Sequence, residues 1–398
     1  MGPIARDMNA LHAIEGRFAG TEGERAMLHA VRQRMPEEGW LVRVEGLVAH
    51  NRPDWVVVGH VVLLIVVGLV GAFYPGWVVP LAALLTASLL GEATGRFVLL
   101  RRLVVKAASY NLVAKEQRPQ AKGSVVITCN LDVSRWARTR RSGLRLGERA
   151  FQAMFWAAIA VTAGMFIRVL GDPFGEATLS VYLGVIALLA SSAFYRMASR
   201  RPAPKGAGDG SGPAVLLELM RRFAEDPAPD VETWIAFTGC GHADQGGMRN
   251  FLDLHRDSLK DPVLVIHLDS PGRSPLIAST AEGPVFAQAH MPTGPALVER
   301  LRWAGVDLPE TRLYAATDAR AARVRGVRSL CLTGGDGDPT PEAAAQATDL
   351  VEVMIRWFAE DVAQVAGDRP RLEALGKALQ TMRAEARRGR RRRREEAS

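Results

Sequence analysis

Four long apolar stretches dominate the hydropathy pattern of the chain. One pair covers residues 55–74 and 77–90 around the turn Pro75-Gly76, and the other covers 151–170 and 177–197 around a short polar turn. A bilayer core requires roughly 20 consecutive apolar residues in a helix, since every backbone amide must find its partner inside the segment. The pattern therefore predicts four transmembrane helices in two hairpins, over residues 51–97 and 135–200. Core helices of a soluble protein are the alternative, but these rarely exceed about 14 uncharged apolar residues.

The positive residues near the hairpins predict their orientation. Short loops rich in Lys and Arg stay on the cytoplasmic side of a membrane. Neither hairpin turn contains a Lys or Arg, whereas the flanks contain Arg96, Arg101, Arg102, Lys106, Arg135, Arg138, Arg140, Arg141, Arg145, Arg149, Arg196, Arg200, Arg201 and Lys205. We therefore expect an integral membrane protein whose partner is the lipid bilayer, with both turns outside and the soluble domain and both termini in the cytoplasm.

Outside the hairpins, strand patterns and helix patterns alternate. Strands are predicted at 41–49, 111–115, 124–129, 231–237, 262–268, 284–290 and 327–332, and helices at 213–224, 248–258, 295–304, 318–325 and 341–365. Such alternation predicts an α/β domain with a mostly parallel central sheet and helices on both faces. The domain would be assembled from residues 1–50, 98–134 and 201–366, followed by a C-terminal helix and tail over 367–398.

The amino-acid composition agrees with a membrane protein but adds little about its function. The hydrophobic content of 48% is high for a wholly soluble chain of 398 residues. The three cysteines, Cys129, Cys240 and Cys331, lack a CxxC spacing, which argues against a disulfide framework and a zinc ribbon and agrees with the cytoplasm. The N-terminus has no long apolar run, so we expect no cleaved signal peptide.

The Arg-rich tail, residues 387–398, contributes to the net charge of +8. Basic clusters beside a membrane attract anionic lipid head groups, although a solvated tail and non-specific RNA binding are alternatives. Because much of the charge lies in this tail and in the hairpin flanks, we do not expect nucleic acid as the partner.

The candidate catalytic and metal-binding residues lie at the ends of predicted strands. Ligands of open α/β sheets bind beyond the carboxyl ends of the strands, which selects residues 130–132, 242–245, 269 and 333–338. Each candidate also has a structural interpretation: Asp132 and Asp209 are suited to capping the turn or helix that follows, Asp269 to forming the turn before Ser-Pro-Gly, and His242 to an exposed loop.

Several landmarks at these places resemble peptidase family M twenty-eight, the co-catalytic zinc aminopeptidases and their glutaminyl cyclase relatives. GRFAGTEGER resembles the opening R-x-x-GT helix of the family, VVITCNLD its strand ending in His-x-Asp, and KGAGDGSGPAVLLELMR its Gly-Ala-Asp-Asp helix start. VIHLDSPG resembles the strand ending in a metal-binding Asp, and TDARAARVRGVRSLCL the Ser-Asp-His loop and following strand. The likeness spans residues 15–366 outside the hairpins and implies a zinc-exopeptidase fold.

The resemblance also implies a metal centre that this sequence departs from. In the family, His, a bridging Asp, Glu, Asp and a late His hold two zinc ions, and a Glu acts as general base. The first His falls on Asn130, the bridging Asp on Gly208 or Asp209, the base on Gly241, and the ligand Glu on His242. Only Asp269 is retained in place. Ala319 replaces the His of the Ser-Asp-His loop, and residues 332–346 contain no late His.

Three hypotheses follow from these residues. The first is a membrane-anchored, aminopeptidase-like domain that is catalytically impaired, binds no metal, and acts as a binding or scaffold module. The second is an active metallo-exopeptidase or amide hydrolase with one zinc on Asp209, His242 and Asp269, acting on a small peptide, with Asp132 and Asp244 as candidate catalytic groups. The third is a transporter or channel subunit, for which the spans offer only His60 and Arg168.

Overall fold

A computed structural model describes residues 2–36, 38–51, 53–96, 99–103, 106–134, 141–171, 176–198, 208–283 and 285–365. The predicted C-terminal helix and Arg-rich tail lie outside these residues. The described part contains an α/β domain built on one sheet and four long helices that form two hairpins.

The central sheet is mixed rather than mostly parallel, which corrects the predicted fold class. Its strand order is β1-β2-β4-β3-β5-β9-β6-β7, with β8 paired to β6. The strands are β1 Trp40–Ala49, β2 Ala107–Glu116, β3 Gly123–Asn130, β4 Val231–Thr238, β5 Val263–Asp269, β6 Leu276–Glu282, β7 Gln288–Ala289, β8 Glu310–Leu313 and β9 Arg328–Gly334. Strands β4, β3, β5 and β9 run parallel, whereas β1, β2 and β6 make antiparallel pairs.

The antiparallel pairing of β1 and β2 has a simple cause. The two strands are joined through the first hairpin, and a helical hairpin returns the chain to the side from which it left. The second strand must therefore run back along the first, and the two pair over their whole length, from Trp40 opposite Glu116 to Ala49 opposite Ala107.

Helices cover both faces of the sheet. They are α1 Pro3–His12, α2 Glu22–Arg32, α7 Ser211–Glu225, α8 Gly241–Asp244, α9 Gly246–His255, α10 Thr293–Trp303, α11 Asp318–Val324, and α12, residues 341–365. Side chains of β3 alternate between the faces: Ile127 packs with α7 and α12, whereas Val126 packs with α9 and α11. The larger of these two layers, which includes Leu112, Ile127, Phe223 and Phe237, is called the sheet core below.

The hairpin helices are α3 Pro53–Gly71, α4 Pro75–Thr94, α5 Arg141–Val169 and α6 Glu176–Ala198. Their shared cluster, called the hairpin core below, includes Leu64, Leu85, Leu89, Phe155, Val161, Met165 and Leu189. His60, a polar side chain inside it, is paired: its two ring nitrogens contact the Val56 carbonyl oxygen at 2.7 Å and Ser88 Oγ at 2.8 Å.

Two of these four helices are long and apolar enough to cross a membrane, so the prediction of four is corrected. Among the described residues, Pro75–Thr94 and Arg149–Val169 meet this description, whereas the apolar parts of their partners, Trp55–Gly71 and Leu179–Tyr195, are shorter. The second helix of the first hairpin, which had looked the shorter from sequence, is thus one of the two that qualify.

Most predicted elements of the α/β domain occur within a few residues of their predicted positions. The exception is the strand expected at 284–290, where only Gln288–Ala289 pairs, while β6 and β8 were not predicted. The segment before β7 instead carries Phe286 onto the hairpin core, where its ring meets Phe155 at 5.5 Å and Trp156 at 6.1 Å between centroids.

Candidate functional site

Three neighbouring parallel strands end together at the candidate site. Asn130 ends β3, Thr238 ends β4 and Asp269 ends β5, and the strand order places β3 between the other two. His242 follows β4 and lies among them. Its Nδ1 is 3.1 Å from Asn130 Nδ2, and its Nε2 is 3.9 Å from Asp269 Oδ1. The structure thus brings together Asn130, Asp132, His242 and Asp269, as the strand-end rule predicts.

The turn after β4 is held by two buried carboxylates. The amide of Cys240 donates to Glu24 Oε1 at 2.7 Å, and the amide of Gly241 donates to Asp132 Oδ1 at 2.7 Å. The amide of His242 donates to Asp132 Oδ2 at 3.1 Å. Successive backbone amides of this kind form a concavity that attracts anions. Here the anions that satisfy them are the protein's own Glu24 and Asp132.

The same turn is bounded by strained backbone. Helix α8 is a single turn, and the residues on either side of it, Cys240 and Gln245, have left-handed φ values of 51° and 54°. For residues with a Cβ this conformation costs roughly 1 to 2 kcal/mol each. The bonds to Glu24 and Asp132 offset that cost, which explains why the turn keeps this shape.

A side chain at position 241 would have to displace the side chain of Asn130. A Cβ atom added to Gly241 would lie 1.9 Å from Asn130 Oδ1. The Asn130 amide is itself held in place, because Thr238 Oγ1 lies 3.1 Å from Oδ1 and His242 contacts Nδ2. The space that the resemblance assigns to the general base is therefore filled by Asn130.

Asp209 is engaged by an arginine and by a helix start. Its Oδ2 accepts from Arg273 Nε at 2.9 Å, and its Oδ1 accepts from the Ser211 amide at 3.2 Å. The neighbouring position is also closed, since a Cβ at Gly208 would lie 2.0 Å from Arg17 Nη2. Both positions that could provide the bridging carboxylate thus face guanidinium groups, whose positive charge already compensates the Asp209 carboxylate.

Asp244 is directed to a different part of the molecule. It is buried, and its Oδ2 accepts from Arg101 Nη1 at 3.1 Å. Arg101 follows the first hairpin and also bonds Glu92 of α4. The carboxylate proposed from sequence as a catalytic group is therefore paired at the junction between the α/β domain and the hairpins.

These contacts do not fit the two-zinc centre that the resemblance implies. Among residues 2–365, so far as they are described, no three His, Cys, Asp or Glu side chains are grouped to hold a metal ion. At the candidate site His242 Nε2 and Asp269 Oδ1 are 3.9 Å apart, and the reduced set that adds Asp209 stays a prediction.

Two buried acids of the site were not recognised from sequence. Burial, together with the neighbouring charge of Asp132, raises the pKa of Glu24 to about 7. Asp318 lies below the site, where its Oδ2 accepts from Thr238 Oγ1 at 2.6 Å, and burial raises its pKa. Glu24 has a sequence signal, because Thr21-x-x-Glu24 is a capping-box pattern at the start of α2. Asp318 directly follows a capping residue, Thr317.

Comparisons with known proteins return structures but no sequence relatives. No family model and no curated protein matches the sequence. Similar solved structures include an aminopeptidase from Aneurinibacillus sp. strain AM-1, with 12% identity over 89% of this chain and 92% of that chain and a TM-score of 0.49. A glutaminyl cyclase from Tannerella forsythia has 12% identity over 89% and 97% of the two chains, with a TM-score of 0.48.

A third similar structure is BSAP, a zinc aminopeptidase from Bacillus subtilis, with 15% identity and a TM-score of 0.38. The match covers 63% of this chain and spans half the length of the Bacillus protein. Since none of these TM-scores reaches 0.5, the function proposed next rests on the residues of this chain.

Proposed function

We propose that this protein is a membrane-anchored domain of zinc-exopeptidase-like fold that has lost hydrolytic chemistry and works as a binding or scaffold module. The observation that carries the proposal is the closed position 241, where Asn130 Oδ1 lies 1.9 Å from the place of a Cβ. A general base must reach the proton of the attacking water within hydrogen-bond distance. A glycine has no group that can do this, and the space beside it is occupied by the Asn130 side chain.

The electrostatics of the site support the same proposal. Dinuclear hydrolysis uses metal charge to generate hydroxide near neutral pH and to polarise the scissile carbonyl. Asp209, the candidate bridging ligand, is bonded to Arg273, and Asp132 is bonded to the amides of Gly241 and His242. A metal ion would have to share the oxygens of each carboxylate with these protein donors.

The anchoring part of the proposal rests on the outward faces of the hairpin helices. Val62, Val66, Leu69 and Leu84 point away from the hairpin core and are about half exposed. Contiguous apolar surface of this kind marks contact with a membrane or another protein. The positive flanks and the tail add attraction to anionic head groups of about 1 kcal/mol per charge near the cytoplasmic surface.

Metal analysis and an activity assay test the loss of chemistry. The full-length protein, purified in detergent and dialysed, is expected to retain only traces of zinc and to leave aminoacyl and small peptide substrates intact. His242→Ala should leave the zinc content unchanged, as should the control His29→Ala on the exposed face of α2. Stoichiometric zinc that is lost in His242→Ala but kept in His29→Ala would overturn the proposal.

That contrary result would support the second candidate, a hydrolase with a reduced metal set. The observation in its favour is the approach of His242 Nε2 to Asp269 Oδ1, at 3.9 Å. Imidazole and carboxylate are zinc ligands. Hydrolysis of a peptide substrate that requires zinc, His242 and Asp269 together would identify it.

A further inference from the structure

A three-residue bridge links the end of a hairpin helix to the turn of the candidate site. Arg101 lies in the short helical turn Leu100–Leu103 that follows the first hairpin. Its Nη1 donates to Asp244 Oδ2 at 3.1 Å, and its Nη2 donates to Glu92 of α4. The three side chains are 9%, 5% and 7% exposed, in the order Arg101, Asp244 and Glu92. The bridge is therefore shielded from solvent and little screened by salt.

The bridge holds one end of α8 while Asp132 holds the other. Asp244 is the last residue of α8, and Gly241 and His242 are its first two. Because α8 is a single turn, Asp244 lies two residues from His242, and both lie between the contacts to Arg101 and to Asp132. A displacement of Asp244 is therefore expected to shift the His242 backbone.

The last turn of α4, at the hairpin end of the bridge, is also hydrogen-bonded to the α/β domain. Arg320 of α11 donates to the Ala93 carbonyl oxygen, and Gln288 Nε2 donates to the Thr94 carbonyl oxygen at 3.2 Å. These bonds occupy carbonyl groups at the C-terminal end of α4, where a helix lacks its own donors. The last turn of α4 is thus bound at Glu92, Ala93 and Thr94, and a tilt or shift of α4 acts on all three contacts.

We propose that Arg101 is a positioning residue that couples the first hairpin to the candidate site, so that a movement of α4 shifts α8 and with it His242. The bridge needs the two separate amino groups of a guanidinium, because Glu92 and Asp244 are bound by different nitrogens. This inference rests on the membrane anchoring of the proposed function and not on its loss of metal chemistry.

Hydrogen exchange of the full-length protein in lipid nanodiscs tests the coupling. In Arg101→Gln, the amides of Gly241 and His242 should exchange roughly tenfold faster or more, because the loss of a charged hydrogen bond at one end frees the turn. Glu92→Gln, which leaves Arg101 and Asp244 intact, should give a smaller increase in the same peptide. Arg101→Lys keeps the positive charge, but a lysine side chain has only one nitrogen for the two carboxylates. The Gly241 and His242 amides of this variant should therefore exchange at a rate between those of wild type and Arg101→Gln.

The matched control is Arg222→Gln. Arg222 on α7 also bridges two carboxylates, those of Asp349 and Glu352, but it belongs to the opposite face of the sheet from α9. Its loss should leave exchange at residues 240–246 unchanged. Equal exchange at Gly241 and His242 in Arg101→Gln, Glu92→Gln and Arg222→Gln would overturn the inference, and so would a uniform increase over the whole chain in all three variants.

A second arm separates this inference from the proposed function. The wild-type protein is placed in nanodiscs of a thinner and a thicker bilayer, and the amides of residues 240–246 should exchange at different rates in the two. In Arg101→Gln the two rates should be equal. If thickness has no effect on wild type while Arg101→Gln still releases the turn, Arg101 holds the turn but the coupling to the first hairpin is overturned. Neither readout depends on zinc or hydrolysis.

Discussion

The sheet core and the hairpin core are built from the same residue types but differ in what surrounds them. Around the sheet core, α7 buries its apolar residues and presents Glu218, Arg221 and Arg222 on its other side. Around the hairpin core, α3 presents more apolar residues outward, and Val66 is 52% exposed. Inward packing alone therefore does not distinguish the two regions. The outward face does: it is charged on α7 and apolar on α3.

The largest effect is expected inside the sheet core. Phe237→Ala removes a fully buried ring from β4 and should lower the free energy of unfolding of the α/β domain by about 3–5 kcal/mol. Thermal unfolding in detergent followed by tryptophan fluorescence measures this. Phe73→Ala is the control, since Phe73 at the turn of the first hairpin is 79% exposed. Equal losses in both variants would mean that the sheet core is not the region that unfolds.

The outward faces are compared by placing the same charge on an exposed valine in each region. Val66→Asp should cost about 2.5–3.5 kcal/mol if α3 lies in the bilayer core, and should deplete the protein from carbonate-washed membranes. Val48→Asp on β1, where the valine is 71% exposed, should change the free energy of unfolding by less than about 0.5 kcal/mol. Full membrane recovery of Val66→Asp would argue against lipid contact at α3.

A third substitution tests the closed position of the candidate site. Gly241→Ala places a methyl group against Asn130 Oδ1 and should cost about 1–3 kcal/mol of unfolding free energy. Asn130→Ala should relieve part of this cost in the double variant, so that the two effects are not additive. Additive effects in this double-mutant cycle, measured by thermal unfolding, would show that the two positions do not compete for space.

Measured per pH unit, the smallest effect is a change in the pH dependence of stability. The pKa of Glu24 is raised to about 7 in the folded protein by burial and by Asp132, from an ordinary value of 4.5. The folded state therefore binds the proton more tightly than the unfolded state, so this group's contribution is greatest below pH 4.5 and falls as the pH rises toward 7. The slope is at most about 1.4 kcal/mol per pH unit.

Glu24→Gln should flatten the stability profile between pH 4.5 and 7, as measured by unfolding midpoints over that range. Glu22→Gln on the same helix is the control, because the Glu22 side chain is 86% exposed. A profile that steepens in Glu24→Gln would show that the carboxylate, not the acid, is the form that the fold favours.

The sequence predicts those features that depend on neighbouring residues. The continuous apolar runs of β3 and of the hairpins and the amphipathic pattern of α7 can all be read from nearby residues, and the strand-end rule selects His242 and Asp269. The direction of β1 against β2 has no such signal, since it depends on where the hairpin returns the chain. The β6 strand was missed because its Ala, Ser and Thr residues show little alternation of apolar and polar positions.

Partners that are distant in the chain are the other part that sequence could not supply. Asp244 was considered as a catalytic base because it follows Gly241 closely, but its partner Arg101 is 143 positions away. The closure of position 241 likewise depends on Asn130, which belongs to another strand. Charge and residue type indicate that such groups need partners, but only the packing of the strands determines which partner each receives.

The hairpin that joins β1 to β2 also bears on how the chain is assembled during synthesis. Pairing two strands through a long unstructured connection carries an entropy cost that grows with its length. Once α3 and α4 have packed against each other, residues 49 and 107 are already close. Little further loop-closure entropy is then lost when β1 and β2 pair. The β1–β2 ladder can then form while the later strands are still being made, with a helical hairpin in the place where most β-hairpins have a turn of two to five residues.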